Sequence, residues 1–183
     1  MKFQVVYIPI GVGTYHMETA KEQFDRSVAV LRSLSDDVVV PEQVLLTVDD
    51  LSKYLDTLNP DLVILQNITF ANAAFASEVL KRFKCPLMLW TLREPVIDGT
   101  RLRSNSLTGA YSAANAITAF RGMGKFEFVF GAPEEEQVKQ EINAMIRAAR
   151  VQIALRNLKM SAIGHTPQGF GFGRALDAEL MSK

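Results

Sequence analysis

Two histidines, a lone tryptophan, one amide pair and a few arginines are the side chains whose chemistry goes beyond packing: His16 and His165, Trp90, Gln66 with Asn67, Arg93 beside Glu94, and Arg101 and Arg103. Histidine changes charge near neutral pH, so His16 and His165 are candidates for ligand contact. The Trp90 indole joins a broad apolar face to one polar N–H. Arg101 and Arg103 stand just before Asn105-Ser106-Leu107-Thr108-Gly109, where a helix start can hold an anionic group. Each also has a plainer reading. His16 can simply cap a helix, Trp90 can be the aromatic end of a buried strand, and Arg93 with Glu94 can be a solvated pair of little energetic value. Gly11-Val12-Gly13 matches the first half of a dinucleotide fingerprint. Met17, however, stands at or near the place where helix packing asks for a small residue, so a nicotinamide or flavin cofactor is not expected. No HxxxH or CxxC spacing offers a metal site, and neither a GxSxG elbow nor a GxxxxGK phosphate loop is present.

Regular elements must position these groups. Phe3 to Ile10 is a short apolar run that reads as a central buried strand, and Glu18 to Leu34 carries Ala20, Phe24, Val28, Leu31 and Leu34 at helical spacing. Asp37 to Leu46 is apolar again, but Pro41 makes any strand there short, interrupted or at an edge. A short helix from Thr47 to Leu58, a strand from Asp61 to Leu65, a helix from Asn72 to Phe83 and a strand from Pro86 to Trp90 follow. Next come a small-residue helix from about Thr108 to Arg121, a strand from Phe126 to Phe130, and a long helix from Pro133 to about Asn157 striped by Val138, Ile142, Met145, Ala149 and Ile153. Ala110, Ala113, Ala114 and Ala116 let the small-residue helix pack closely on its own sheet or against a partner. A sixth strand from Lys159 to Ile163 leads into the glycine-flanked Phe170 and Phe172 and a newly started helix from Ala175 to Met181. This alternation predicts one α/β domain over 1–183, a doubly wound and mostly parallel sheet of five to six strands with helices on both faces, Rossmann-like or flavodoxin-like. In such sheets ligands bind beyond the carboxyl ends of the strands, which is where the two histidines, Trp90, the amide pair and the Arg-Glu pair fall. The stop at Lys183 inside a new helix leads us to expect the amino-terminal piece of a longer enzyme.

Composition narrows the class. With 48% hydrophobic and 22% charged residues the chain is an ordinary globular protein. Twenty Lys and Arg balance twenty Asp and Glu, so no basic block exists to neutralise phosphates and nucleic acid is not an expected partner. The single cysteine, Cys85, can form no internal disulfide, which suits a reducing cytoplasm, and its plain reading is a small buried apolar residue. No apolar run reaches 18 residues and the amino terminus lacks a signal-peptide pattern, so no membrane association is expected.

Four segments carry a resemblance. Pro9-Ile10-Gly11-Val12-Gly13-Thr14-Tyr15-His16-Met17, Trp90-Thr91-Leu92-Arg93-Glu94-Pro95, Arg103-Ser104-Asn105-Ser106-Leu107-Thr108-Gly109 and Gly164-His165-Thr166-Pro167-Gln168-Gly169-Phe170 resemble, in order and spacing, the amino-terminal region of L-fucose/L-arabinose isomerase-type proteins. The resemblance implies interconversion of an aldose and a ketose, with a divalent metal, usually Mn2+, held by acidic residues and histidine in a later part of the chain. It implies oligomers in which this domain borders a neighbour's active site, with the protein's own carboxyl-terminal domains and a sugar as partners. It also casts Thr14, Tyr15, His16, Trp90, Arg93, Glu94, Arg103 and Asn105 as substrate-binding residues, with no catalytic or metal-holding residue in this chain. A stand-alone sugar- or small-anion-binding module without chemistry is the alternative.

Overall fold

The computed structural model describes residues 3–159. The expected sixth strand, His165, Phe170, Phe172 and the helix from Ala175 lie outside the described residues. The chain divides into two compact units, Met1–Ile153 and Ala154–Lys183. The α/β fold occupies the first.

Strands and helices alternate as β1 (Val5–Ile10), α1 (Met17–Leu34), β2 (Val38–Val39), α2 (Val48–Leu55), β3 (Leu62–Asn67), α3 (Ala73–Arg82), β4 (Leu87–Thr91), α4 (Ser106–Arg121), β5 (Glu127–Phe130) and α5 (Glu136–Arg156). The five strands pair in parallel in the order β2-β1-β3-β4-β5. This is the flavodoxin-like doubly wound order, so its crevice opens where the order reverses, between β1 and β3. β1 is interior, as expected, but β3 is the middle strand.

Successive strand residues face opposite sides, and each side has its own core. Val6, Ile8, Ile10, Val63, Leu65, Leu87 and Leu89 pack with Leu51, Leu55, Phe75, Val79, Ala113 and Ile117 of α2, α3 and α4. Val5, Tyr7, Leu62, Ile64, Met88, Trp90 and Val129 pack with Ala20, Phe24, Leu31, Val138, Ile142 and Ile146 of α1 and α5. The small residues of α4 therefore serve its own sheet, with Ala110, Ala113 and Ala116 all buried. One residue of the expected α5 stripe lies one position away from the buried face. On α5 Ile146 is buried where Met145 was expected, because the true 3.6-residue period drifts against a simple count. Pro41 has the anticipated effect: β2 is two residues long and sits at the sheet edge, after which one further bridge joins Leu45 to Ile10.

One polar network runs through the α1 side. The Tyr7 hydroxyl donates to Gln66, whose amide nitrogen donates to Ser27 Oγ at 3.1 Å, and burial pushes the Tyr7 phenol well above its usual range. Gln66 is thus a core residue, and of the amide pair only Asn67 reaches the strand end on the α4 side.

Candidate functional site at the carboxyl edge of the sheet

The crevice between β1 and β3 is stitched shut near the strands. Thr69 Oγ1 accepts from the Val12 amide at 2.9 Å, and a side chain at Gly11 would lie 2.5 Å from that hydroxyl. A glycine is therefore required where the chain leaves β1. The open space lies further out. A cleft of about 400 Å³ is lined by Thr14, Tyr15 and His16 from the loop after β1 and by Thr100, Arg101, Leu102 and Arg103 from the loop after β4.

The loop after β4 is held by one carboxylate. Glu94 Oε1 accepts from the amides of Arg103 at 2.7 Å and Ser104 at 3.1 Å, while Oε2 accepts from that of Asn105 at 2.9 Å. Charge-assisted bonds of this kind are about twice as strong as neutral ones. Asn105, held there, is the one non-glycine residue at positive φ (50°) among the described residues. Its amide nitrogen donates to the Tyr15 hydroxyl at 3.0 Å, which ties the two loops together. A second tie runs from the His16 amide to the Arg103 carbonyl at 3.1 Å. The Tyr15 ring lies 6.3 Å from that of Phe70 and carries the Arg101 guanidinium 5.1 Å above it.

His16 caps α1, the plainer of its two readings, with Nδ1 accepting from the Thr19 amide at 3.2 Å. That assignment leaves the hydrogen of the neutral ring on Nε2, and the side chain remains exposed. Capping and ligand contact are thus compatible for this residue.

Three expected site residues are engaged elsewhere. Trp90 is 0% exposed, its ring within the α1/α5 core and its N–H donating to the Gly131 carbonyl at 3.2 Å, so it has no open face for a sugar. Arg93 pairs not with Glu94 but with Glu135, through two bonds of 2.9 and 3.0 Å, and lies 4.8 Å above the Phe130 ring. Glu94 is the buckle just described. Residue adjacency suggested an Arg-Glu pair, yet neighbouring side chains on extended chain diverge. Thr14, Tyr15, His16, Arg103 and Asn105 do come together. The partners of Glu135 and Thr69 were not legible in the sequence, since nothing in their local spacing marks a contact across the fold.

Beneath the loop lies unused polar capacity. The Asn67 amide, Thr91 Oγ1 and Ser104 Oγ are buried without hydrogen-bond partners among the described residues. Asn67 and Thr91 are register neighbours at the ends of β3 and β4. Leaving such a group unmet costs about 1–3 kcal/mol, a cost concentrated at the end of the sheet where ligands bind in this architecture. No group of three or more His, Cys, Asp or Glu side chains among the described residues converges to hold a metal ion. The metal that the resemblance implies thus finds no donor set there. No helix among the described residues is long and apolar enough to cross a membrane.

The class these features define is a doubly wound α/β domain with a donor-rich, cationic cleft at its carboxyl edge. No protein-family model matches the chain. It is 61% identical over 180 residues to a sulfoquinovose isomerase of Clostridium sp. (strain MSTE9), covering 98% of this chain and 40% of that protein. It is 37% identical over 181 residues to a sulfoquinovose isomerase of Priestia megaterium (strain ATCC 12872 / QMB1551), covering 97% and 40%. A sulfoquinovose isomerase of Alkalicoccus urumqiensis is 28% identical over 178 residues, covering 96% and 39%. The chain therefore spans about 40% of the length of the curated relatives it matches. These relatives bear the name of a sugar isomerase, while fucose and arabinose isomerases are not named among them. Among solved structures, an FMN-dependent NADH-azoreductase from Bacillus anthracis str. Ames Ancestor overlaps 82% of this chain at 8% identity and a TM-score of 0.35, too slight a likeness to speak for the fold.

Proposed function

We propose that this chain is the amino-terminal domain of an aldose–ketose isomerase acting on a sulfonated hexose of the sulfoquinovose kind, and that it supplies sugar-facing loops to an active site completed by residues outside the chain. The observation that carries this reading is the 61% identity over 98% of the chain to a protein of that name. The relatives' greater length supports assigning the proton-transfer groups, and the manganese expected from the resemblance, to residues beyond these.

The work left to this domain is binding and orientation. The Tyr15 oxygen accepts from Asn105, so its own hydroxyl hydrogen is left to donate to a sugar oxygen. His16 offers Nε2–H in the neutral ring, and the exposed Thr14 hydroxyl both donates and accepts. Arg103 and Arg101 complete the wall. Holding a substrate in a fixed pose is itself a large share of catalysis, because orientation removes much of the entropic barrier.

The test is to incubate the longer protein that contains this chain with sulfoquinovose, with and without added manganese, and follow the 2-ketose by NMR. Ketose formation is the expected result. Saturable sugar binding without conversion would favour the non-catalytic sugar- or anion-binding module instead.

A further inference from the structure

Of the nine arginines of the first unit, Arg32 and Arg147 are exposed on α1 and α5 with no carboxylate within ion-pair distance among the described residues, away from the cleft. Arg26, Arg82, Arg93 and Arg150 each pair with a carboxylate, and Arg121 donates to the carbonyls of Phe83 and Cys85. Arg101 and Arg103, by contrast, line the cleft at the carboxyl edge and have no carboxylate within ion-pair distance among the described residues. The nearby carboxylates are already committed. Glu94 is saturated by three backbone amides, and Asp98 is held below its usual range chiefly by the Thr100 hydroxyl and amide, with Arg103 a smaller cause. Two guanidinium groups thus line one cleft without an ion-pair partner among the described residues, in a chain whose formal charges balance to zero.

Both arginines are also pre-positioned. Arg101 rests on the Tyr15 ring, itself braced by Asn105 and Phe70, and the backbone of Arg103 is gripped by Glu94 on one side and His16 on the other. The His16 Nε2–H and the Thr14 hydroxyl add neutral donors to the same wall, while the Thr100 hydroxyl is taken by Asp98 Oδ1 at 2.6 Å. An uncharged sugar can accept hydrogen bonds from guanidinium groups but brings no charge to balance them. A sulfonate has three acceptor oxygens and a permanent negative charge, and the fork of an arginine suits it.

We propose that the cleft between residues 14–16 and 100–103 is the sulfonate subsite, with Arg101 and Arg103 as its charged ligands and the His16 Nε2–H as a neutral donor. This rests on the sulfonated-sugar reading above and deepens it. The sulfonate sits on the terminal carbon of sulfoquinovose and the isomerised carbons lie at the other end. A domain without a metal donor set among its described residues can therefore grip the substrate by its charged tail.

The experiment compares the longer wild-type protein with its Arg101→Gln, Arg103→Gln and double variants, measuring kcat and KM for sulfoquinovose and inhibition by ethanesulfonate. Loss of a charge-assisted contact is expected to raise KM by about tenfold or more in each single variant, with kcat changed by less than about threefold. Ethanesulfonate is expected to inhibit the wild type and to lose that effect in the double variant. The Arg101→Lys and Arg103→Lys variants keep the charge without the fork and are expected to fall between, which separates a lost contact from a misfolded loop. A wild type that converts sulfoquinovose while the Gln variants keep its KM within twofold overturns the subsite and leaves the isomerase reading standing. A wild type that converts only uncharged aldoses overturns the substrate reading and the subsite with it.

Discussion

The Arg93–Glu135 pair shows how much of a residue's role depends on partners far along the chain. Glu135 accepts two bonds from the guanidinium and one from the Ala132 amide, and these hold its carboxyl down to about 2, with the Arg93 bonds the larger cause. In the unfolded chain the carboxyl titrates at the ordinary value of about 4.3. A carboxyl depressed by folding adds stability that is fully present above its unfolded value and is lost as pH falls through its folded one. Urea midpoints of wild type and Arg93→Gln are therefore expected to differ by a constant amount near neutral pH. That gap narrows between about 4.3 and about 2, leaving only the share due to the guanidinium stacked on Phe130. A gap that holds constant down to pH 2 would show that the pairing adds no stability. At this scale the sequence was half legible. It marked Tyr15, His16, Arg101, Arg103 and Asn105 as rim residues, since position after a strand suffices for that. It did not show where Trp90, Arg93 and Glu94 turn, because which way a side chain turns at a strand end depends on register and on partners such as Gly131 and Glu135, over 40 positions away along the chain.

Helices and strands were the most legible scale, because periodicity is a local property. Thr47, Asn72 and His16 cap their helices through side chains, and for Thr47 and Asn72 the capping type stands visibly at the helix start. α4 differs. It starts from Asn105 without a side-chain cap and crosses the loop after β3 so closely that a Cβ at Gly109 would lie 2.6 Å from Asn67 Nδ2, 2.9 Å from the Ala71 amide and 3.1 Å from Phe70 Cα. Two effects oppose each other in Gly109→Ala. Helix propensity favours alanine by about 1 kcal/mol, while forcing atoms into a packed backbone contact costs about 1–3 kcal/mol. Backbone cannot swing aside as a side-chain tip can, so the clash wins. The variant is expected to be less stable by up to about 2 kcal/mol at unchanged m value, read from urea unfolding. A stabilised variant would show that α4 can lift away from β3 without penalty. No sequence pattern announced this contact, since a glycine in an alanine-rich helix looks like one more small residue.

Across the whole first unit, protection should follow position in the sheet. β1, β3 and β4 are buried along their entire lengths and flanked on both sides, whereas β2 has two residues and β5 exposes three of its four. Hydrogen exchange monitored by mass spectrometry is expected to be slowest in β1, β3 and β4, and fastest in β2, β5 and residues 95–102. Equal rates in β3 and β5 would contradict the layered core. The alternation of elements made the sheet legible in advance, but not which loops would meet above it, because strand order is decided by crossovers that leave no local trace. The Glu94 buckle has a consequence for how such a domain changes over generations. One side chain fixes both ends of the loop, so the segment between them closes at little entropic cost whatever its residues are. Residues 95–102 are in effect a cassette. Sequence change there can reshape the lining of the cleft, in a short surface stretch, while the scaffold beneath it goes unaltered.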